Sequence, residues 1–350
     1  MRTEDERTRL ELLDQPDSLR KTIDRELGHA QRIAKKIQEK RCSHIFLVGM
    51  GSSYSATLMA KTLADRITKI PVDLYRGYEF EFQNPIDLSN ESCVILVSLS
   101  GETEDVVSAL RAAKKRRAYT VSISGPDENT LAREADDALR IVSKDTKAMI
   151  AAHLTQVALL YLLLGFLAKY RHESDEVDEL KAALDKLIQR LPSVISEQET
   201  RTRQLAEQFR DENLFYVISA GPTYGVAYKV AMTELTENAW LHGIIQYSTE
   251  FRHGIIEKME EDLPVIFLIG SDESQKDIRR ELETCRTLKV KTIVWDSRDF
   301  PPTNKFLAPF YLSVAVNWFV YHLALLRGKP PSSRRYMGTL IPYANMKSQP

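Results

Sequence analysis

The segment His44–Tyr54 reads HIFLVGMGSSY, an apolar run that ends in a turn rich in glycine and serine. A short apolar run followed by a helical stretch predicts a strand that leads into a helix. The pattern recurs at Val94–Val97, which continues into SLSGET (98–103), and at Tyr119–Ser124, which precedes a Gly-Pro turn. Short apolar strands that alternate with helices predict a parallel sheet, whose ligands bind outside the carboxyl ends of its strands.

The same plan occurs a second time further along the chain. The turn Gly221–Tyr224 matches Gly51–Tyr54 at an offset of 170 (221 − 51), and Val265 matches Val94 at an offset of 171 (265 − 94). A long apolar helix follows the third strand of each copy. This repeat predicts an α/β protein with two tandem, doubly wound parallel-sheet domains and long flanking helices. We expect the domains at residues 1–190 and 191–350, joined within a polar helix at residues 174–208.

Composition and charge narrow the class of protein. The chain has 350 residues, of which 43% are hydrophobic and 28% charged, and its formal net charge is −1. Without a long basic block, it lacks the electrostatic signature of a nucleic-acid binder. Cys42, Cys93 and Cys285 lie far apart in no metal-ligand spacing, so they are expected to stay reduced. Because the N-terminus is charged and has no apolar signal region, we predict a cytoplasmic protein. The charge balance predicts no nucleic-acid partner.

Two apolar segments, residues 149–168 and 310–326, resemble membrane spans in length. Both contain polar side chains, such as His153 in the first and Asn317 in the second, and neither has an evident aromatic belt. We therefore predict two buried core helices and no membrane partner. Residues 1–40, by contrast, have the charge spacing of a helix that faces solvent or a partner.

Hydroxyl side chains collect at one predicted rim of the first sheet. They are Ser52, Ser53, Ser98, Ser100 and Thr103. Hydroxyls and backbone N–H groups at the start of a helix form an anion cradle that suits phosphate, although the same residues also favour helix caps. The equivalent loop of the second copy, GSDE (270–273), carries two carboxylates that would repel phosphate. We therefore predict that only the first copy binds phosphate.

The stretch Lys229–Gly254, KVAMTELTENAWLHGIIQYSTEFRHG, contains a candidate acid–base pair. The residues at helical spacing are Val226, Val230, Thr233, Glu237 and Leu241. This places Glu237 on a mostly apolar stripe, where lost hydration favours proton transfer near neutral pH. His253 follows 16 residues later (253 − 237) in a polar turn. A structural ion pair of Glu237 with Lys229 or Arg252 is an equally good interpretation.

At these residues the chain resembles the sugar isomerase (SIS) domain family, as a tandem pair over residues 25–340. Residues 98–103 are similar to the family's phosphate loop, Ser-x-Ser-Gly-x-Thr, and Gly51–Tyr54 is similar to its first turn. The resemblance implies a flavodoxin-like fold for each copy and a small sugar phosphate as substrate. It also implies that the five hydroxyl residues hold the phosphate and that Gly51 contacts the substrate.

The resemblance extends to the isomerase half of glucosamine-6-phosphate synthase. There, a Glu and a His with the spacing of Glu237 and His253 are the base that shuttles the proton and the residue that opens the sugar ring. The turn Asp145-Thr-Lys147 resembles the synthase's Ser-Thr-Lys turn, which implies that Lys147 contacts the substrate. The chain departs from the synthase at Leu99, usually Gln, and at Glu234, usually Lys. Its second residue is not the catalytic cysteine that heads the synthase's glutaminase domain, and that domain has no counterpart here.

The segment RRYMG (334–338) resembles the branch of the family that acts on 6-phosphorylated fructosamines, which implies that Arg335 and Tyr336 bind the substrate. Such a deglycase converts a fructose 6-phosphate with an amino acid on C1 into glucose 6-phosphate and the free amino acid. No metal or redox cofactor is expected, since the developing charge spreads over an enaminol. The family also implies a homodimer with sites shared between subunits. The alternatives are an aldose–ketose isomerase, an amino-sugar phosphate deaminase and a non-catalytic sugar-phosphate sensor.

Overall fold

A computed structural model describes residues 4–125, 128–143 and 150–336 of the chain. It is an α/β protein with two separate parallel sheets, which confirms the predicted fold class. The described residues form two compact units. The N-terminal unit contains the described residues of 14–145, 151–182 and 334–336. The C-terminal unit contains those of 4–13, 150 and 183–333.

The N-terminal unit is built on a sheet of five parallel strands in the order β2-β1-β3-β4-β5. Its central strands are entirely buried, as the apolar runs predict for a sheet covered on both faces. The elements of this part of the chain are α1 (Glu4–Glu39), β1 (His44–Gly49), α2 (Gly51–Ile67), β2 (Val72–Tyr75), α3 (Gly77–Gln83), β3 (Ser92–Val97), α4 (Glu104–Lys115), β4 (Tyr119–Ser124), α5 (Thr130–Glu134), β5 (Asp137–Arg140) and α6 (Ile150–His172).

The C-terminal unit repeats this plan with four parallel strands in the order β7-β6-β8-β9. Its elements are α7 (Glu176–Gln208), β6 (Leu214–Ser219), α8 (Tyr224–Lys229), a π-helix (Val230–Asn238), β7 (His242–Tyr247), a 3₁₀ segment (Ser248–His253), β8 (Pro264–Ile269), α9 (Gln275–Thr287), β9 (Lys291–Asp296) and α10 (Ala308–Leu326). Strand β6 begins 170 residues after β1 (214 − 44), and β7 begins 170 residues after β2 (242 − 72). The duplication predicted from the sequence therefore includes the order of the strands.

Two helices, α6 and α10, are long and apolar enough to cross a membrane by length and composition. They are buried over 100% and 89% of their most apolar windows, so they are core helices of their units, as predicted. Helix α1 differs from its prediction, because one of its faces is buried, including Leu12, Leu19 and Ile33. The prediction rested on the spacing of the charged residues and did not take the apolar stripe between them into account.

Candidate active site

The switch point of the N-terminal sheet lies between β1 and β3. These two strands are neighbours, with Gly49 opposite Val97, while the chain leaves them towards β2 on one side and β4 on the other. A crevice forms at such a point outside the carboxyl ends of the strands. Ser52 and Ser53 lie in the first turn of α2, directly after β1, and the loop 98–103 joins β3 to α4. The structure thus brings both predicted hydroxyl groups to this edge.

The hydroxyls of the loop 98–103 converge on one another. Ser98 Oγ lies 2.8 Å from Thr103 Oγ1 and 3.4 Å from Ser100 Oγ, and the Ser100 and Thr103 hydroxyls are 3.5 Å apart. The backbone N–H of Gly101 also donates to Ser98 Oγ at 3.2 Å. Gly101 has φ +64°, and a Cβ there would overlap the Asn129 side chain, so the loop requires glycine at this position. The resulting cluster can direct hydroxyl protons towards one anion.

A glutamine that the sequence analysis did not predict as a site residue contacts Ser53. Gln156 lies on α6, is 2% exposed, and donates from Nε2 to Ser53 Oγ at 3.1 Å. Because the Ser53 oxygen accepts this bond, its own proton remains available to donate to a ligand. Gln156 is separated from Ser53 by 103 positions, and it lies on α6, one of the two long apolar helices described above. No motif around it marks such a role.

Carboxylates also lie close to this edge. Glu102 is held away from the loop's hydroxyls, because it accepts bonds from Thr130 N at 2.7 Å and Thr130 Oγ1 at 2.8 Å. Glu104 and Asp105 occupy the first turn of α4, and burial raises the pKa of the Asp105 carboxyl. Their negative charge opposes the binding of an anion, so hydroxyls and backbone N–H groups must supply the favourable contacts there. Lys147, the cation that the resemblance assigns to the substrate, lies outside the described residues.

The equivalent edge of the C-terminal sheet carries a buried carboxylate. Asp272 is 6% exposed and accepts bonds from Ser274 N at 3.2 Å and Ser274 Oγ at 3.0 Å. On the neighbouring turn, the hydroxyl oxygens of Ser219 and Thr223 lie 2.6 Å apart, and each also lies within hydrogen-bond distance of a backbone carbonyl oxygen. These groups are satisfied internally, and Asp272 adds negative charge, so this edge is poorly suited to phosphate.

The helix that carries Glu237 does not remain an α-helix. It is α-helical over Tyr224–Lys229 and becomes a π-helix over Val230–Asn238, which changes the face on which each later side chain lies. Glu237 is therefore half-buried, and the carboxylate in the core is Glu234, with 3% exposure. Glu237 thus keeps part of its exposure, and the other residues of the predicted stripe are buried: Val226, Val230, Thr233 and Leu241. Lys229, considered as a partner of Glu237, forms its ion pair with Glu234.

Glu237 and His253 lie near opposite ends of strand β7. A Cβ on Gly243, the second residue of β7, would overlap Ala231 of the π-helix, so this part of the helix packs beside the amino end of the strand. Glu237 lies six positions further along the helix (237 − 231), beyond that end. His253 follows the carboxyl end of β7 and is exposed. The two residues thus belong to segments that flank the six residues of β7 on opposite sides.

Two buried groups anchor the segment Ser248–His253, which ends at His253, to the C-terminal unit. Phe251 is 1% exposed, and Ser248 Oγ donates to Glu281 Oε2 on α9 at 2.5 Å. Burial raises the pKa of Glu281 to about 7, although the Ser248 hydrogen bond and the nearby Arg280 and Arg252 oppose the shift. Glu281 is thus a titratable group that contacts the first residue of the His253 segment.

The C-terminal residues proposed to bind substrate are only partly described. Arg335 and Tyr336 are exposed, with the Arg335 guanidinium 5.5 Å from the centre of the Tyr336 ring. Both belong to the N-terminal unit, while the rest of the RRYMG motif, from residue 337 onward, lies outside the described residues. Gly51, with φ +51°, begins α2 directly beside Ser52.

Two doubly wound parallel sheets define an α/β protein whose fold matches that of solved phosphosugar isomerase structures. The chain belongs to the SIS family and carries two SIS domains in tandem. Residues 37–165 match the SIS domain, and residues 198–340 match the bacterial phospho-glucose isomerase C-terminal SIS domain.

Several known proteins are similar over nearly the whole chain. A fructoselysine 6-phosphate deglycase of Escherichia coli is 28% identical over 92% of this chain and 94% of its own length. The fructosamine deglycase FrlB of Bacillus subtilis is 29% identical over 88% of this chain and 95% of its own. The C-terminal domain of glucosamine-fructose-6-phosphate aminotransferase from Francisella tularensis has the same fold, with a TM-score of 0.80, 22% identity, and coverage of 91% of this chain and 95% of that one.

Proposed function

We propose that this protein is a cytoplasmic deglycase that cleaves a 6-phosphorylated fructosamine into glucose 6-phosphate and a free amino acid. The observation that carries the proposal is the contrast between the two switch points, one with converging hydroxyls and one with the buried Asp272. Such a chain suits a substrate with a single phosphate. Two relatives named as deglycases, at 28% and 29% identity, support this class of reaction.

In this proposal the N-terminal unit holds the phosphate. Ser52, Ser53, Ser98, Ser100 and Thr103 donate hydroxyl protons to its oxygens, and Gln156 keeps the Ser53 proton pointing outward. Hydrogen bonds from neutral donors to a charged acceptor are stronger than neutral pairs, so these hydroxyls favour the binding of phosphate. Gly51, Lys147, Arg335 and Tyr336 are the further substrate contacts that we propose.

The chemistry belongs to Glu237 and His253. His253 transfers the proton that opens the sugar ring, which exposes the C2 carbonyl beside the C1 amine. Glu237 then removes a proton from C1 to give the enaminol and returns a proton to C2, which leaves an imine between C1 and nitrogen. Water adds to this imine, and the C1–N bond breaks to release the amino acid and the aldehyde of glucose 6-phosphate. No electrons are transferred to an outside acceptor in this sequence.

We propose further that the protein is a homodimer whose sites are shared between subunits. Within one chain, Glu237 precedes the amino end of strand β7 and His253 follows its carboxyl end, so the two residues come from opposite ends of a six-residue strand. A symmetric dimer can bring His253 of one subunit to Glu237 of the other and produces two equivalent sites. The exposure of His253 is consistent with a side chain that serves a second chain.

Incubation of the protein with a panel of 6-phosphofructosyl amino acids tests the proposal. We expect release of glucose 6-phosphate and of an equal amount of amino acid, measured by a coupled dehydrogenase assay and by amine analysis. The matched unphosphorylated fructosyl amino acids should react poorly. Interconversion of fructose 6-phosphate and glucose 6-phosphate instead would indicate an isomerase, and ammonia release from glucosamine 6-phosphate would indicate a deaminase.

A further inference from the structure

The C-terminal unit buries an ion pair that the proposed reaction does not use. Lys229, the last residue of α8, and Glu234, in the π-helix, are each 3% exposed and form a salt bridge. Lys229 Nζ also donates to Asn317 Oδ1 on α10 at 3.2 Å. Within the described residues, Glu234 Oε2 and Asn317 Nδ2 are buried without a hydrogen-bond partner. Burying such charges is costly, and replacing them with apolar residues is often neutral or stabilising, so stability alone does not explain the pair.

The spacing of the pair depends on the type of helix. Lys229 and Glu234 are five positions apart. An α-helix turns about 100° per residue, so residues five apart point about 140° away from each other and do not meet. A π-helix bonds residue i to residue i+5, which stacks the two on one face. The hydrogen bond from Ala239 N to the Glu234 carbonyl, at 3.3 Å, has this spacing. The five-residue spacing of the ion pair therefore matches a π-helix and not an α-helix.

The type of helix in turn decides where Glu237 lies. Glu237 is eleven positions after the fully buried Val226 (237 − 226). A continuous α-helix would place these two residues within about 20° of each other, and so would direct Glu237 into the core. In the π-helix, Glu237 is half-buried, so part of its side chain remains exposed. This arrangement leaves part of Glu237 accessible to a ligand.

We propose that Lys229, Glu234 and Asn317 are positioning residues for Glu237: their buried contacts hold the π-helix and thereby keep Glu237 out of the core. This inference rests on the proposed function only in its assignment of Glu237 as the base. It also accounts for the acidic residue at position 234. A carboxylate there pairs with Lys229, whereas a lysine at this position would place two like charges together in the core.

The experiment compares two double variants with the unchanged protein. Lys229→Met with Glu234→Met removes the pair at similar volume, and we expect a folded protein with kcat lowered about 10- to 100-fold and KM changed less than about threefold. Lys229→Glu with Glu234→Lys keeps a pair five positions apart, and Asn317 offers both a donor and an acceptor to receive it. We expect this swapped variant to recover kcat to within about threefold. As a control, removing the exposed pair of Lys35 and Glu39 on α1 should change neither constant.

A folded Lys229→Met, Glu234→Met protein with unchanged kcat would overturn the inference, as would a folded swapped variant that is no more active than the Met variant. If the Met variant does not fold, Asn317→Leu removes only the contact from α10. It should lower kcat about three- to tenfold at constant KM, and no loss of kcat would again count against the proposal.

A crystal structure of the Met variant separates this inference from the proposed function. We expect the N–H of Ala239 to bond to the carbonyl of Leu235, four positions back, and Glu237 to turn into the core. A retained π-helix with Glu237 unmoved would refute the positioning role whatever the substrate is. Failure of the unchanged protein on every 6-phosphofructosyl amino acid would refute only the proposed reaction.

Discussion

At the scale of single residues, Glu237 carries the proton transfer that the proposed reaction needs. Glu237→Gln keeps the shape of the side chain but removes its basicity, so we expect turnover to fall by about two to four orders of magnitude. KM for a confirmed substrate should change little, because the phosphate contacts lie elsewhere. The measurement is steady-state release of glucose 6-phosphate, with circular dichroism to verify the fold. Glu257→Gln, at an exposed position of the same unit, is the control, and equal activity of the two variants would remove Glu237 from the mechanism.

The hydroxyl cluster makes a second prediction at this scale. Ser98→Ala with Ser100→Ala removes two donors to the phosphate, and we expect KM to rise at least about tenfold with a smaller change in kcat. Ser271→Ala, in the equivalent loop of the C-terminal unit, should leave KM unchanged because the carboxylate of Asp272 occupies that edge. Similar effects in both loops would show two working phosphate sites in each chain.

The sequence predicts some of these residues better than others. Ser53 and Ser98 could be placed at one edge because parallel strands deliver their carboxyl ends to the same side of a sheet. The charge of Asp272 alone was enough to predict that its loop disfavours phosphate. Gln156 could not be found in this way, since its contact with Ser53 joins residues 103 positions apart and depends on how α6 packs. The roles of Glu237 and His253 stay predictions.

At the scale of elements, the helix before β7 shows that the spacing of apolar residues does not determine the type of helix. Its apolar spacing is α-helical, but the α-helix ends at Lys229, and the π-helix that follows still buries Thr233 of the predicted stripe. Beyond this point, we infer that the buried ion pair of Lys229 and Glu234 stabilises the π-helix, and the spacing of apolar residues does not reveal this pair. The sequence shows two opposite charges five positions apart, but residues at this spacing do not face each other in an α-helix, so this pair does not predict the π-helix. The bounds of β7 and of the segment Ser248–His253 then place the two proposed catalytic residues at different ends of one strand.

Helix α9 supports the His253 segment through a group that titrates near neutral pH. The pKa of Glu281 is raised from the ordinary 4.5 to about 7, chiefly by burial. The unfolded chain therefore loses this proton at lower pH than the folded one, so the folded state loses stability as the pH rises from about 4.5 through 7. Glu281→Gln abolishes the effect. We expect the urea midpoint of the variant, relative to the unchanged protein, to be higher at pH 8 than at pH 5.

The comparison needs a control on the same helix. Glu283→Gln changes an exposed carboxylate of α9 and should shift the midpoint equally at both pH values. If the Glu281→Gln difference were also independent of pH, the group would not titrate in this range, and it would hold Ser248 as a permanent acceptor.

At the scale of the whole molecule, the duplication was readable because each copy repeats the same strands and turns. The offset of 170 between β1 and β6, and again between β2 and β7, reflects a conserved order of elements rather than of side chains. The boundaries of the two units were harder to predict from the sequence, because both α1 and α7 contribute residues to each unit. Long helices of this kind contain no break in composition that marks a boundary.

The shared site makes a prediction about mixed assemblies. Glu237→Gln and His253→Ala proteins should each be inactive alone. Refolded together in equal amounts, about half of the dimers should be mixed, each with one intact site, which gives roughly a quarter of the unchanged activity. Native mass spectrometry verifies that mixed dimers form. Mixtures with verified mixed dimers and no activity would mean that both residues act from one chain.

The position of β7 between Glu237 and His253 also has a consequence for mass action. If an isolated subunit holds only half of each site, dissociation does not merely destabilise the protein; it abolishes catalysis. Specific activity should then fall as the enzyme is diluted below the dissociation constant of the dimer, and it should recover when inactive His253→Ala subunits are added to restore pairing. An enzyme whose output depends on its own concentration in this way would respond more than proportionally to changes in its expression.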